Sequence, residues 1–307
     1  MDVSSAIGGT ALVRLRRLVP PGHAEVLAKL EWQNPTGSLK DRMALAVITA
    51  AERDGRLRAG DTVVEYTGGS TGASLALVCA AHGHRLRIVS SDAFSRGKLD
   101  QMAALGAELT QVPSVGGPTT RELILEMVET ARRISLEPHH FWTDQLRNHD
   151  SIAGYHPLGE EIWRDTGGAV DAFVHSVGTA ASLRGVATAL KRRRPGVHVV
   201  AVEPAESAVL SGGAAGPHQI EGVGIGYRPP LWEPSVVDEI VPVATAEARA
   251  MCRRLAREEG LFAGTSSGAN LVAALRVAAR LGPGARVVTL MVDSGLKYLD
   301  TDLYVRG

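Results

Sequence analysis

The sequence predicts an α/β protein built on parallel sheets. Strand-like and helix-like segments alternate along almost the whole chain, the signature of βαβ units. Hydrophobic residues make up 45% of the 307 residues and aromatics only 4%. Such a small-residue composition suits helices packed closely on a sheet rather than a β-sandwich. The length accommodates two ordinary domains or one large α/β unit.

Taken in order, Val26–Trp32 reads as a strand and Asp41–Arg53 as a helix. Thr62–Tyr66 is a short apolar strand, followed by a helix over Thr71–His82 that Gly83 stops. Leu86–Ser90 is a strand, Lys98–Leu105 a helix stopped by Gly106, and Glu108–Val112 a strand. Thr120–Arg133 is a long amphipathic helix and Ile152–Asp165 another. Strand Ala172–Ser176 leads to helix Leu183–Arg194, and strand Val197–Val202 follows. Val236–Val243 is a strand, Thr245–Glu259 and Ser267–Leu281 are helices, and Arg286–Val292 closes the pattern as a strand. Two Gly- and Pro-rich stretches, Pro113–Pro118 and Leu210–Pro230, break the rhythm. An irregular loop of the second length inside a compact domain points to function.

Composition excludes several classes. The 33 basic and 33 acidic residues balance, so there is no nucleic-acid footprint. The run Lys191-Arg192-Arg193-Arg194 ends a predicted helix before Pro195, where cations complement the dipole. Cys79 and Cys252 are the two cysteines. They are too few for a disulfide framework or a structural zinc site, and both read as buried small residues. No spaced set of His, Cys and carboxylates suggests a metal; His82, His84, His139 and His140 read as surface positions. There is no transmembrane run or signal peptide, so the expectation is a soluble cytoplasmic protein without membrane or nucleic-acid partners.

Four strand–loop–helix junctions carry the chemistry. In Asn34-Pro35-Thr36-Gly37-Ser38-Leu39-Lys40-Asp41-Arg42 a tight turn opens a helix that Ser38 can cap, with Lys40 in its first turn. The helix start carries partial positive charge, unfavourable for a lysine but able to lower its pKa, as a Schiff-base lysine requires. The loop Thr67-Gly68-Gly69-Ser70-Thr71-Gly72 offers glycine backbone, hydroxyls and helix N–H groups to an anion such as a carboxylate or phosphate. Ser176-Val177-Gly178-Thr179-Ala180-Ala181-Ser182 could seat a phosphate in the same way. It lacks the endings of a nucleotide P-loop or a dinucleotide fingerprint. The fourth is Gly264-Thr265-Ser266-Ser267-Gly268-Ala269. Taken alone, the Thr67–Gly72 loop reads equally well as an ordinary capped turn, Ser176–Ser182 reads better as a helix cap, and the fourth segment too can be a capped helix. Lys40 alone would read as an exposed lysine on a capped helix, and its surrounding sequence reverses that.

Together and in order, these segments resemble the cysteine synthase (O-acetylserine sulfhydrylase) and cystathionine β-synthase family of fold-type II pyridoxal-phosphate (PLP) enzymes. The resemblance also takes in Gly9–Val13, the whole of Glu65–Gly72 and Ser176–Gly185, Asp144–Asn148, Glu221–Tyr227 and Asp293–Leu299, and so spans nearly the whole chain. It implies two three-layer α/β domains of the tryptophan synthase β type with the cofactor between them. The small, substrate-gripping domain would be 39–146, and the large, PLP-binding one 1–38 plus 147–307. The chain would form a homodimer.

The resemblance also implies residue roles. Lys40 would hold PLP as a Schiff base and serve as acid and base at the substrate α-carbon. Gly178, Thr179, Ala180, Ala181 and Ser182 would hold the phosphate, Ser266 the pyridine nitrogen, and Ser70 would lie at the ring oxygen. Thr67, Gly68, Gly69, Ser70 and Thr71, with Gln145, would grip the substrate carboxylate, and Gly222 to Tyr227 would line the leaving-group side. A neutral hydroxyl at the ring nitrogen would favour loss of a β-substituent over transamination. The implied reaction is β-replacement on an O-activated L-serine through an aminoacrylate: O-acetyl-L-serine plus sulfide gives L-cysteine, or a related nucleophile adds. Two alternatives are β-elimination from serine or threonine and an idle regulatory protein on the same fold. The sequence departs from the family pattern at Ser70, usually Asn, at Ala180 and Ala181, usually Gly, and at Gln145–Ser151. Those departures suggest a subgroup with another nucleophile or another activated serine. Alanine suits 180 and 181 if both take helical angles.

Overall fold

The computed structural model describes residues 2–114 and 120–305, and of Arg121 the backbone only. In chain order the strands and helices are β1 (Leu12–Arg14), β2 (Glu25–Leu30), α1 (Lys40–Asp54), β3 (Thr62–Tyr66), α2 (Ser70–His82), β4 (Arg85–Ser91), α3 (Arg96–Ala104), β5 (Glu108–Val112), α4 (Arg121–Ser135) and β6 (His140–Trp142). Then follow α5 (Asp150–Ala153), α6 (His156–Asp165), β7 (Ala172–Ser176), α7 (Ala181–Arg193), β8 (His198–Pro204), β9 (Glu239–Val243), α8 (Thr245–Arg254), α9 (Thr265–Leu281) and β10 (Arg286–Met291). The chain separates into two compact units, one made of Met1–Ile7 with Asn34–Gly154 and the other of Gly8–Gln33 with Tyr155–Gly307.

The first unit holds a four-stranded sheet in the order β5-β4-β3-β6, parallel throughout. All five residues of β3 are buried, as a central strand covered on both faces requires. Helix α4 packs on β3, β4 and β6, and α1 packs on α2. The second unit holds six strands in the order β1-β2-β10-β7-β8-β9. Only β1, on the edge, runs antiparallel. Strand β7, Ala-Phe-Val-His-Ser, is wholly buried, and α9 packs on β10 and β7.

The α/β reading and the strand–helix alternation hold, with three differences. The helix expected over Ile152–Asp165 is two helices. A Cβ on Gly154 would lie 2.7 Å from the Ala46 Cβ and 2.9 Å from the Arg42 carbonyl, so α1 approaches too closely for any other residue. Helix α6 then restarts with Pro157 in its first turn, where a missing N–H costs nothing. Strands β1 and β6, three residues each, are too short to show a period of two. The segment Thr245–Glu259 ends in a π-helical turn over Leu255–Glu259.

Two irregular stretches were expected. Most of Pro113–Pro118 lies outside the described residues. Leu210–Pro230 contains no helix or strand. It is pinned at its start by the buried carboxylate of Glu203, which accepts the N–H groups of Leu210 and Ser211 at 2.7 and 3.0 Å. No helix among the described residues is long and apolar enough to cross a membrane. Among them, too, no cluster of three or more His, Cys, Asp or Glu side chains could hold a metal ion.

Candidate functional site

The first unit assembles Lys40 and the Thr67–Thr71 loop on one framework. The Gly37 N–H donates to the Asn34 carbonyl at 2.8 Å, closing the turn before α1, and Gly37 has φ +77°. Lys40 is the first residue of α1 and is half-buried. The Ser38 hydroxyl accepts the Lys40 N–H at 3.2 Å, but the N-cap position is Leu39 and α1 has no side-chain cap, so Ser38 steadies the turn before the helix rather than capping it. Next to it, the buried carboxylate of Asp41 accepts the Thr36 N–H at 2.8 Å, the Thr36 hydroxyl and the Ser74 hydroxyl. An acidic residue here suits the positive end of the helix dipole. Because Ser74 lies on α2, Asp41 ties the Lys40 turn to the helix that follows the Thr67–Thr71 loop.

That loop is built for close approach. A Cβ on Gly68 would lie 2.1 Å from the Phe94 ring, and one on Gly72 would lie 2.5 Å from the Met102 sulfur. The Thr67 hydroxyl accepts the Gly69 N–H at 3.1 Å. Helix α2 then opens at Ser70 without a side-chain cap. Gln145 joins the loop: its Oε1 accepts from the Thr71 hydroxyl at 2.8 Å, and its Nε2 donates to the Tyr66 carbonyl at 2.9 Å.

Beneath Gln145 lies Glu65, fully buried on β3. Its carboxylate accepts the Thr143 hydroxyl at 2.5 Å and the N–H groups of Gln145 and Tyr66 at 2.9 and 2.8 Å. Burial pushes its carboxyl up to about 7, against the opposing pull of these three donors.

The second unit gathers three further segments. Helix α7 opens at Ala181, again without a side-chain cap, leaving its first N–H groups to another acceptor. A Cβ on Gly178 would fall 2.3 Å from the Gly222 carbonyl oxygen, so glycine is required where these two loops meet. The Gly224 N–H donates to the Val177 carbonyl at 3.1 Å, and the Glu221 N–H donates to the Thr265 hydroxyl at 2.9 Å. Gly222, Gly224 and Gly226 all have positive φ.

Helix α9 also starts uncapped, after Gly264. Of its three hydroxyls, Thr265 accepts from Glu221 and Ser267 accepts the Val292 N–H at 2.8 Å. The hydroxyl of Ser266, 3% exposed, remains for a ligand. An uncapped helix start beside a glycine cradle fits a phosphate, and a nearly buried serine hydroxyl fits a neutral ring nitrogen. The residues present therefore suit PLP.

One expectation fails at a particular residue. Ala181 is helical, but Ala180 has φ +71° and ψ −12°, the left-handed region that disfavours any residue with a Cβ. The histidine reading also changes. His82 and His84 are half-buried and both meet the Glu52 carboxylate, at 3.0 and 2.8 Å. His140 is half-buried too, and of the four only His139 is exposed. The two cysteines are buried as expected. Asp41 lies inside the Asn34–Arg42 motif and Glu65 opens the segment Glu65–Gly72, but their anchoring roles were not read there, and Ser74 lies outside every quoted motif. For Glu65 the one signal was a carboxylate inside an otherwise apolar, wholly buried strand.

A family profile described as pyridoxal-phosphate dependent enzyme matches residues 3–293. The chain belongs to that family. The enzyme is 40% identical over 306 residues to a cysteine synthase of Staphylococcus aureus, covering 99% of this chain and 96% of the relative. Among solved structures, the cysteine synthase of Entamoeba histolytica superposes with a TM-score of 0.93 at 36% identity, covering 100% of this chain and 91% of that one. An O-ureido-L-serine synthase superposes with a TM-score of 0.90 at 38% identity, covering 99% and 94%. The enzyme is thus a fold-type II, PLP-dependent catalyst of β-replacement.

Two predictions follow from the site's construction. Ala180→Gly relieves the left-handed alanine and loses part of that gain to the freer unfolded chain. It should raise stability by about 0.5–1 kcal/mol, read as a higher urea midpoint. Glu65 binds its proton more tightly folded than unfolded, where its value is the ordinary 4.5. Its contribution to stability is therefore full below about 4.5 and is lost as pH rises to about 7. Denaturation midpoints of the unaltered enzyme should fall relative to those of Glu65→Gln between pH 4.5 and 7.5; parallel curves would contradict the buried, proton-binding carboxyl.

Proposed function

We propose that the enzyme joins sulfide to the β-carbon of O-acetyl-L-serine, releasing acetate and giving L-cysteine, with Lys40 as the attachment point of PLP. The observation that carries this reading is the placement of Lys40 at the first residue of α1, in a turn locked by Asp41 to the helix of the Thr67–Thr71 loop. Similarity to cysteine synthases over almost the whole chain supports the substrate pair.

PLP, when bound, supplies the electron sink for the pair of electrons left at the substrate α-carbon. The chain's own residues do the rest. Thr67, Gly68, Gly69, Ser70 and Thr71 bind the substrate carboxylate through hydroxyls and the uncapped N–H groups of α2, and Gln145 is held beside them. The Lys40 amine takes the proton from the α-carbon and returns it once the new bond at the β-carbon has formed. Gly178, Thr179, Ala180, Ala181 and Ser182 seat the phosphate. Ser266 offers the ring nitrogen a hydroxyl rather than a carboxylate, leaving that nitrogen largely unprotonated. Expulsion of acetate is then favoured over transamination. The Gly222–Tyr227 loop lines the leaving-group side. We infer a homodimer, from the resemblance, and a cytoplasmic setting, which suits two buried, unpaired thiols.

Mixing the purified holoenzyme with O-acetyl-L-serine should shift the visible cofactor band. Adding sulfide should restore it as cysteine and acetate appear in equal amounts. Release of an oxo acid and ammonia at a rate indifferent to sulfide would overturn the replacement reading in favour of elimination. An unchanged spectrum with every β-substituted alanine tested would overturn both.

A further inference from the structure

Directly under the α7 start, a buried histidine controls the hydroxyl of Ser182. His175, on β7, is 2% exposed, Asn270, on α9, is fully buried, and Ser182 is 8% exposed. The His175 Nε2 lies 2.8 Å from the Ser182 Oγ, and its Nδ1 lies 3.3 Å from the Asn270 Nδ2. The Asn270 amide has one orientation. Its Oδ1 accepts the Ser176 N–H at 2.7 Å, and its Nδ2 donates to the Leu290 carbonyl at 2.9 Å. A carboxamide nitrogen only donates, so the second Nδ2 hydrogen points at Nδ1 of His175 and makes Nδ1 an acceptor. In the neutral ring the proton then sits on Nε2, which donates to the Ser182 oxygen. The hydroxyl hydrogen of Ser182 is thereby directed away from His175 and is free to be donated elsewhere.

The polarity of this chain excludes one tempting alternative. Ser, His and Asn also form nucleophile triads, but there the imidazole must take the hydroxyl proton. Here the imidazole nitrogen facing the serine already carries a hydrogen, so His175 cannot act as a base on Ser182. The arrangement makes Ser182 a donor, and its position in the first turn of an uncapped helix, beside the Gly178 cradle, calls for an anion that accepts from it.

We propose that His175, oriented by Asn270, is a positioning residue for the cofactor's phosphate: it holds Ser182 as a hydrogen-bond donor to a phosphate monoester. This rests on the phosphate seat at Gly178–Ser182 proposed above. The ligand portion recognised is the phosphate alone, so pyridoxal, which lacks it, serves as the control.

The test uses enzyme freed of cofactor and titrated with PLP and with pyridoxal, as the unaltered chain and as His175→Ala, Ser182→Ala and the double variant. His175→Ala should weaken PLP binding roughly three- to tenfold, the loss of one hydrogen bond to a charged group. The double variant should bind no more weakly than Ser182→Ala, and pyridoxal affinity should be unchanged. An independent readout needs no cofactor: nitrogen-15 spectra of the unaltered enzyme at neutral pH should show the Nε2–H tautomer for the ring signal that disappears in His175→Gln.

An Nδ1–H tautomer, additive effects of the two variants, or an equal loss of pyridoxal affinity would overturn the role of His175. If Ser182→Ala binds PLP normally, the phosphate-seat reading itself fails, and this inference with it. If Ser182→Ala loses affinity for PLP while His175→Ala does not, only the positioning role is wrong.

Discussion

The buried carboxylate of Asp41 is the tie on which the first unit's chemistry depends. It gathers the Thr36 N–H, the Thr36 hydroxyl and the Ser74 hydroxyl, joining the turn that presents Lys40 to the helix that follows the Thr67–Thr71 loop. A carboxylate out of water needs several donors to offset its lost hydration, and here the donors are the elements that have to be held together. Its place in the first turn of α1 also sets a negative charge against the helix dipole one residue from the Lys40 amine.

The second unit solves a related problem with backbone. Helices α7 and α9 both open without side-chain caps, although Thr179, Ser182 and Ser266 stand close enough in sequence to provide them. The hydroxyls are used elsewhere: Ser182 is bound to His175, and Thr265 and Ser267 fasten neighbouring segments. What remains is a set of helix N–H groups without side-chain caps and the nearly buried Ser266 hydroxyl. Close loop packing at Gly178 and Gly222 leaves no room for a side chain at Gly178. Ala180, in contrast, adopts a glycine conformation while keeping its methyl group. This local strain is held by the surrounding packing, consistent with backbone strain being concentrated at ligand sites.

Much of this was legible in the sequence. The strands Thr62–Tyr66, Glu108–Val112 and Ala172–Ser176 emerged with their expected bounds; for the first and third, short buried runs between turns leave few other options. The loop motifs fall before the starts of α1, α2, α7 and α9, because glycine, serine and threonine before a helix have a direct physical use. Three-residue strands lacked enough residues to show a period, and the break at Gly154 depended on the distant Ala46 and Arg42. The roles of Asp41, Glu65 and His175 escaped notice for a similar reason. Each is a single polar residue whose meaning lies largely in distant partners, 33 positions away for Asp41, 80 for Glu65 and 95 for His175. The angles of Ala180, too, are set by the loop it closes rather than by its identity.

The central claim is that the amine of Lys40 carries the cofactor. Reduction of the holoenzyme with borohydride, followed by proteolysis and mass spectrometry, tests it most directly. The account predicts a pyridoxyl group on the peptide containing Lys40 and on no other lysine. A modified lysine elsewhere, or an unmodified Lys40 peptide from enzyme whose visible absorbance has been lost on reduction, would contradict it.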